Sequence, residues 1–225
     1  MKKIVVFGTT SLSRMVAYEA MSHDVLEIAA FTADAEYLSQ DHFMDWPLVD
    51  ARSVEDLYPP AAFDMLLLFS GYQAMRQRQI LFDRMKKKGY YLCNYVSPAT
   101  DYAGPRIQGE NNVILAGAHL GIHGVMGDNN LIRQQVYLGH DFKLGSHCVL
   151  APRACVGGHV ELGDNCYIGM NATIINNTVV AKESLVGAGA VVIHHTEAYS
   201  KNVGNPSRLI GYHLEKGIEM RVEHE

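Results

Sequence analysis

The chain has no window of eighteen uncharged apolar residues, so no segment reads as a bilayer-spanning helix. Its start, MKKIVVFGTTS, carries two lysines and then four apolar residues before Gly8. That run is too short for the core of a secretory signal, and a cytoplasmic location is the expectation. Only four cysteines occur (Cys93, Cys148, Cys155, Cys166), and none stands in a CxxC pair. They read as reduced thiols, mostly buried, and not as a disulfide framework or a zinc cluster. Basic residues are outnumbered, 19 Lys and Arg against 24 Asp and Glu, for a net charge of −5. That balance argues against a broad nucleic-acid surface, which needs a basic excess. The GxGxxG fingerprint of a dinucleotide site is missing after the first apolar run, which disfavours an NAD enzyme.

What is present divides into two halves with different periods. Hydrophobic residues make up 48% of 225, enough for a buried core. In the first half strand-like and helix-like stretches alternate. Ile4–Phe7 is a short apolar strand ending at Gly8, and the polar run Thr9-Thr10-Ser11 opens a helix to about Met21. Val25–Phe31 and Trp46–Val49 read as strands, and Ser53 with Asp56 three residues on resembles a capping box. Met65–Phe69 is apolar throughout, as a strand covered on both faces should be. Gln73–Lys88 is helical in composition and stops at Gly89, and Tyr91–Tyr95 reads as a further strand. The alternation predicts a small parallel sheet flanked by helices.

The second half repeats every six residues. From Ile114, steps of six land on Leu120, Met126, Ile132, Leu138, Leu144, Leu150, Val156, Leu162, Ile168, Ile174, Val180 and Val186. The next residue is often Gly, and the fifth place of the hexad is mostly small, as at Ala118, Cys148, Ala154, Cys166 and Ala190. Neither a helix (period 3.6) nor a simple strand (period 2) gives six. A coil that turns a corner every six residues does, and three sides close a triangular prism with eighteen residues per turn. The large aliphatic fills the axis, the small residue points inward near a corner, and the Gly is expected to adopt angles that a Cβ resists.

The corners expose candidate chemistry. His140, third in its hexad, points outward, and an ordinary imidazole (pKa ~6.5) is largely free base at neutral pH. Asp141 follows at once, and at a corner both side chains can face outward and meet, which would orient the ring and strengthen it as a base. Eighteen residues on, Gly158 stacks over His140 with no side chain to block approach, and its N–H is an expected oxyanion donor. Asn176 continues that column. The neighbouring column reads His123, Asp141, His159, Asn177, and either histidine is placed to neutralise Asp141.

The repeats, with GYQAMRQRQ (71–79), KKKGYYLCNYVSP (86–98), LGHDFKLG (138–145), VGGHVELGDNCYIGMNATI (156–174) and the tail GNPSR (204–208), resemble the sialic-acid O-acetyltransferase-type family of sugar acyltransferases, which includes the bacillosamine-pathway N-acetyltransferases. The resemblance implies an α/β N-terminal Rossmann-like domain (1–100) holding a nucleotide-linked sugar, a left-handed parallel β-helix of hexapeptide repeats (101–212) and a short tail (213–225). It implies acetyl-CoA as co-substrate, no metal, no nucleic acid, no membrane insertion, and a homotrimer with the CoA groove between neighbouring prisms. His140 becomes the catalytic base, Asp141 the acid that raises its basicity, and Gly158 the oxyanion donor. CoA contacts fall on Val149, Met170, Gly187 and Ala188, with Lys201 and Arg208 toward its phosphates. Substrate contacts fall on Gly8, Thr10, Ser11, Asp34, Gly71 and Tyr72, at strand ends and a helix start that attract anions. Where that family's first loop usually reads G-A-S-G-H-G, this one reads Gly8-Thr9-Thr10-Ser11-Leu12-Ser13.

The expectation is N-acetylation of a UDP- or dTDP-linked amino-deoxysugar, with sugar O-acetylation in surface polysaccharide synthesis as the alternative. A non-catalytic trimeric scaffold would lack the His–acid corner. A zinc carbonic anhydrase on the same helix would want a histidine five beyond His159, where Asp164 stands.

Overall fold

The structure, a computed structural model, describes residues 3–70, 74–102 and 106–220. Gly71 and Tyr72 lie outside the described residues. The first part is a sheet of five strands in the order β3-β4-β2-β1-β5. In chain order these are β1 (Lys3–Phe7), β2 (Ile28–Ala33), β3 (His42–Phe43), β4 (Trp46–Asp50) and β5 (Phe63–Leu67). β4, β2, β1 and β5 run parallel and only the β3–β4 hairpin is antiparallel. Helices α1 (Ser11–His23), α2 (Val54–Leu57) and α3 (Arg76–Lys87) form the connections. The second strand starts later than the apolar pattern suggests, because Asp24 ends α1 in a left-handed conformation and the chain needs a few residues to turn back. Ser53 is the N-cap of α2, but its side chain makes no capping bond; the only contact to Asp56 is backbone, so no capping box forms.

The predicted strand 91–95 is divided between two structures. Leu92 bridges Met65 at the edge of the α/β sheet, whereas Tyr95–Val96 is already the first strand of the repeat region, paired with Val113–Ile114. From there the chain winds into a three-sided parallel β-helix whose rungs are eighteen residues apart, as in His119↔Tyr137 and Val149↔Tyr167. The first wall is built on Val113–Ile114, Leu131–Ile132, Val149–Leu150, Tyr167–Ile168 and Leu185–Val186. The second wall carries Tyr137–Leu138, Cys155–Val156 and their stacked partners, and the third carries Lys143–Leu144, Glu161–Leu162 and theirs. A hairpin of Ser200–Val203 and Arg208–Tyr212 extends the first wall.

The prism interior is the predicted one. The aliphatic of every hexad from Ile114 to Val186 is buried, as are Ala118, Cys148, Ala154, Cys166, Ala172 and Ala190 at the fifth place. Phe142 breaks the small-residue rule and is fully buried. Gly124, one rung earlier, makes the room: a Cβ there would overlap the Phe142 ring.

The glycines after the aliphatics have a different purpose from the one expected. None of Gly121, Gly127, Gly139, Gly145, Gly157, Gly163, Gly169 or Gly187 has positive φ. The left-handed residue is the fourth of each hexad, among them His123 (φ 61), Asp141 (φ 55), His159 (φ 55) and Asn177 (φ 59). The second-place glycines instead let rungs stack: a Cβ on Gly139 would lie 2.6 Å from the backbone N of Gly158.

Candidate active site

The first wall is covered by the α/β domain. Its outward residues Val113, Leu131, Val149 and Tyr167 are buried in one cluster with Leu12 and Val16 of α1. Arg78 of α3 donates to the Asn129 carbonyl, and Phe82 lies edge-on to His147, so α3 is also keyed to the prism. That leaves the edge between the second and third walls open to solvent, and His140 and Asp141 stand on it.

His140 Nδ1 and Asp141 Oδ2 are 2.8 Å apart. Adjacent residues on a flat strand diverge; here the positive φ of Asp141 turns its side chain back alongside its neighbour. The ring lies over Gly158: a Cβ on that glycine would sit 2.6 Å from His140 Nε2. Nε2, the nitrogen not held by Asp141, therefore faces the gap that Gly158 leaves. Two further imidazoles flank the carboxylate, His123 Nδ1 at 3.5 Å and His159 Nε2 at 4.0 Å. The His159 ring stands edge-on to His140, centroids 4.9 Å apart. The hydrogen bond from His140, then the fields of His159 and His123, hold the Asp141 carboxyl below the usual carboxylate range.

The Gly158 N–H is not free. It donates to Asn176 Oδ1 at 3.0 Å, the side chain next in the same column. Asn176 is exposed, and the expected oxyanion donor is already satisfied by it in this structure.

The expected CoA contacts do not share this edge. Met170, Gly187 and Ala188 lie on the edge between the first and second walls, where Met170 and Ala188 are exposed one rung apart. Val149 is fully buried, packed with Val113, Leu131 and Tyr167 against the α/β domain, and offers no side-chain surface. Lys201 and Arg208 sit on the terminal hairpin, Arg208 exposed and Lys201 half-buried.

In the α/β domain, Gly8 (φ 118), Thr10 and Ser11 follow β1 at the start of α1. Gly8 has no room for a side chain: a Cβ would be 2.8 Å from the Leu68 carbonyl oxygen. β1 has neighbours on both sides, β2 and β5, whose connections run in opposite directions, which makes this end of the sheet its topological switch point. Asp34 follows β2 at the same end, but its carboxylate is held by Arg84 of α3, with Nη1 at 2.9 Å and Nη2 at 3.1 Å. Asp34 is therefore paired in this structure, at a partly exposed position.

Sequence reasoning missed the Asn176 contact. It also missed the covering of the first wall, although a signal was there: in every third hexad the residue before the aliphatic is itself large and apolar.

Residues 159–194 match the bacterial transferase hexapeptide (six repeats) family. Among solved structures, the chain is similar to perosamine N-acetyltransferase from Caulobacter crescentus, a histidine-to-asparagine mutant in complex with CoA and GDP-perosamine (TM-score 0.84, 22% identity, 94% of this chain and 98% of that one). It is similar also to the acetyltransferase domain of PglB from Neisseria gonorrhoeae (TM-score 0.82, 20% identity, 93% and 100%). WeeI from Acinetobacter baumannii matches at TM-score 0.69 with 23% identity over 93% and 100%. No curated protein matches the chain. The chain thus has the left-handed hexapeptide β-helix fold, joined to an α/β domain as in these full-length structural matches.

Proposed function

We propose that the protein is an acetyl-CoA-dependent acyltransferase that N-acetylates a nucleotide-linked amino-deoxysugar. The observation that carries this reading is the His140–Asp141 pair, 2.8 Å apart on an open prism edge, with Nε2 facing the gap over Gly158. The two-part fold, shared with N-acetyltransferases solved with CoA and a GDP-sugar, supports it. The Rossmann-like domain holds the nucleotide where Gly8, Thr10 and Ser11 join β1 to α1.

In the reaction, His140 Nε2 takes a proton from the sugar amine as its nitrogen attacks the thioester carbonyl carbon. Asp141 accepts the Nδ1–H and holds the ring in the tautomer that leaves Nε2 free. Asn176 turns away, and the Gly158 N–H receives the oxyanion of the tetrahedral intermediate. The C–S bond breaks, and the proton on His140 passes to the departing CoA thiolate. Met170, Gly187 and Ala188 stand on another edge, so CoA is bound between two prisms, with one chain giving the base and its neighbour the groove. That arrangement calls for a homotrimer. Lys201 and Arg208 lie toward the CoA phosphates.

The test incubates the protein with acetyl-CoA and GDP-, UDP- and dTDP-linked amino sugars, reading free thiol. Thiol release with one of them is expected, slowed about 10²- to 10⁴-fold by His140→Ala. Turnover unaffected by that change refutes the mechanism. Release only with hydroxyl-bearing acceptors would make the enzyme an O-acetyltransferase of surface sugars instead.

A further inference from the structure

The surroundings of Asp141 hold more imidazole than a base and its orienting acid require. Three of the chain's 11 histidines turn a ring nitrogen toward one carboxylate: His140 at 2.8 Å, His123 at 3.5 Å and His159 at 4.0 Å. His123, Asp141 and His159 occupy the same corner place on three successive rungs, each at positive φ, so the rung spacing of the helix fixes them one above another. Ligand atoms of His140, Asp141 and His159 all lie within 4.8 Å of one another. Among the described residues this is the one group of three or more His, Cys, Asp or Glu that could close on an ion.

We propose that His123, His140, Asp141 and His159 form a binding site for a divalent transition-metal ion, Zn²⁺ best, and that an ion held there caps the imidazole assigned as base. Imidazole nitrogens with one carboxylate suit zinc, whereas calcium and magnesium want oxygen donors. Tetrahedral zinc with bonds of about 2.0–2.1 Å needs ligand atoms roughly 3.3 Å apart. His140, Asp141 and His159 close from within 4.8 Å to that spacing by side-chain rotation, and the more exposed His123 ring, 3.5 Å from the same carboxylate, is free to swing in as the fourth ligand. The ion takes His140 through Nδ1, where Asp141 now accepts. Coordination through Nδ1 leaves the ring's one proton on Nε2, and an Nε2–H has no lone pair with which to take a proton from the amine. Binding stands on geometry alone; the inhibitory effect rests on the acyl-transfer reading.

The test titrates metal-free protein with ZnCl₂ by calorimetry, alongside His123→Asn, His159→Asn and the double variant. Asparagine tolerates the positive φ at both places, so the rungs are kept, and circular dichroism checks this. One Zn²⁺ per chain is expected, with affinity at least about tenfold lower in each single variant and no competition from Mg²⁺. Zn²⁺ should also slow acetyl transfer by the unmodified protein, and EDTA should restore it. Equal Zn²⁺ affinity in the double variant overturns the site. Zn²⁺-loaded protein with full turnover overturns the capping. If metal-free protein acetylates no amino sugar, it is the functional reading that fails, and the calorimetry still decides the site.

Discussion

Two glycines that are neighbours in space separate the proposed catalysis from folding. Gly158→Ala would place a methyl carbon 2.6 Å from His140 Nε2, 2.8 Å from Cε1 and 3.0 Å from Cδ2. All three are atoms of one half-exposed ring, and Gly158 has no positive φ to strain, so the ring can swing out and the fold can accept the change. The swing moves Nε2 by about 1 Å or more and breaks the 2.8 Å contact to Asp141. A displacement of that size at a reacting group costs on the order of 10²-fold in kcat. Gly139→Ala is the contrast. Its Cβ would lie 2.6 Å from Gly158 N and 2.7 Å from the Gly157 carbonyl carbon, which are backbone atoms of the next rung and cannot rotate away. Overpacking of that kind costs about 1–3 kcal/mol, or roughly 2–10 °C in Tm for a chain of this length. Steady-state kinetics and thermal melts on the two variants give the answer. Gly158→Ala should keep its Tm within about 2 °C and lose turnover, while Gly139→Ala should lose Tm. A Gly158→Ala protein with full kcat, or one that melts as early as Gly139→Ala, refutes the assignment of the ring over Gly158 as the reacting base.

Other outcomes are expected from the same geometry. Asn176→Ala frees the Gly158 N–H from a hydrogen bond of about 0.5–1.5 kcal/mol, so kcat should rise, by up to about tenfold; a fall of 10²-fold would make the Asn176 amide itself a transition-state donor. Alkylation of native protein at pH 8, followed by mass spectrometry, should label exposed Cys155 first. Cys148 and Cys166 are buried, and burial pushes the Cys93 thiol up to about 12, so these three should label only on unfolding; early labelling of Cys93 would contradict its packing. Burial, then the nearby Arg78 charge, lowers the His147 pKa from 6.5. The unfolded chain therefore binds that proton more readily. The associated stability is complete above about pH 6.5 and is lost as pH falls through the folded value. His147→Asn, which suits φ 63, should shrink the Tm difference between pH 7.5 and 5.5; an unchanged difference would place the acid sensitivity elsewhere.

Much of this protein is written in its period. A repeat of six with no insertion from 114 to 191 permits one kind of winding. That winding places residues eighteen apart on one line, which is why His140, Gly158 and Asn176 could be aligned by counting. Strand and helix order in the first half was legible for the same reason: apolar runs and polar breaks are local properties. Contacts between rungs and between domains were not. Glycine after the aliphatic looks the same in sequence whether it serves φ or stacking, and only the rung above Gly139 shows that it serves stacking. Asp34 reads as a free strand-end acid until α3 brings Arg84, fifty residues on, against it. Val149 reads as groove until α1 is laid over the first wall. Pairing of this sort depends on which surfaces meet after each element has formed. The sequence therefore determined the winding and its columns. Only the tertiary structure decided which wall the α/β domain buried and which corner stayed open to hold three imidazoles around one carboxylate.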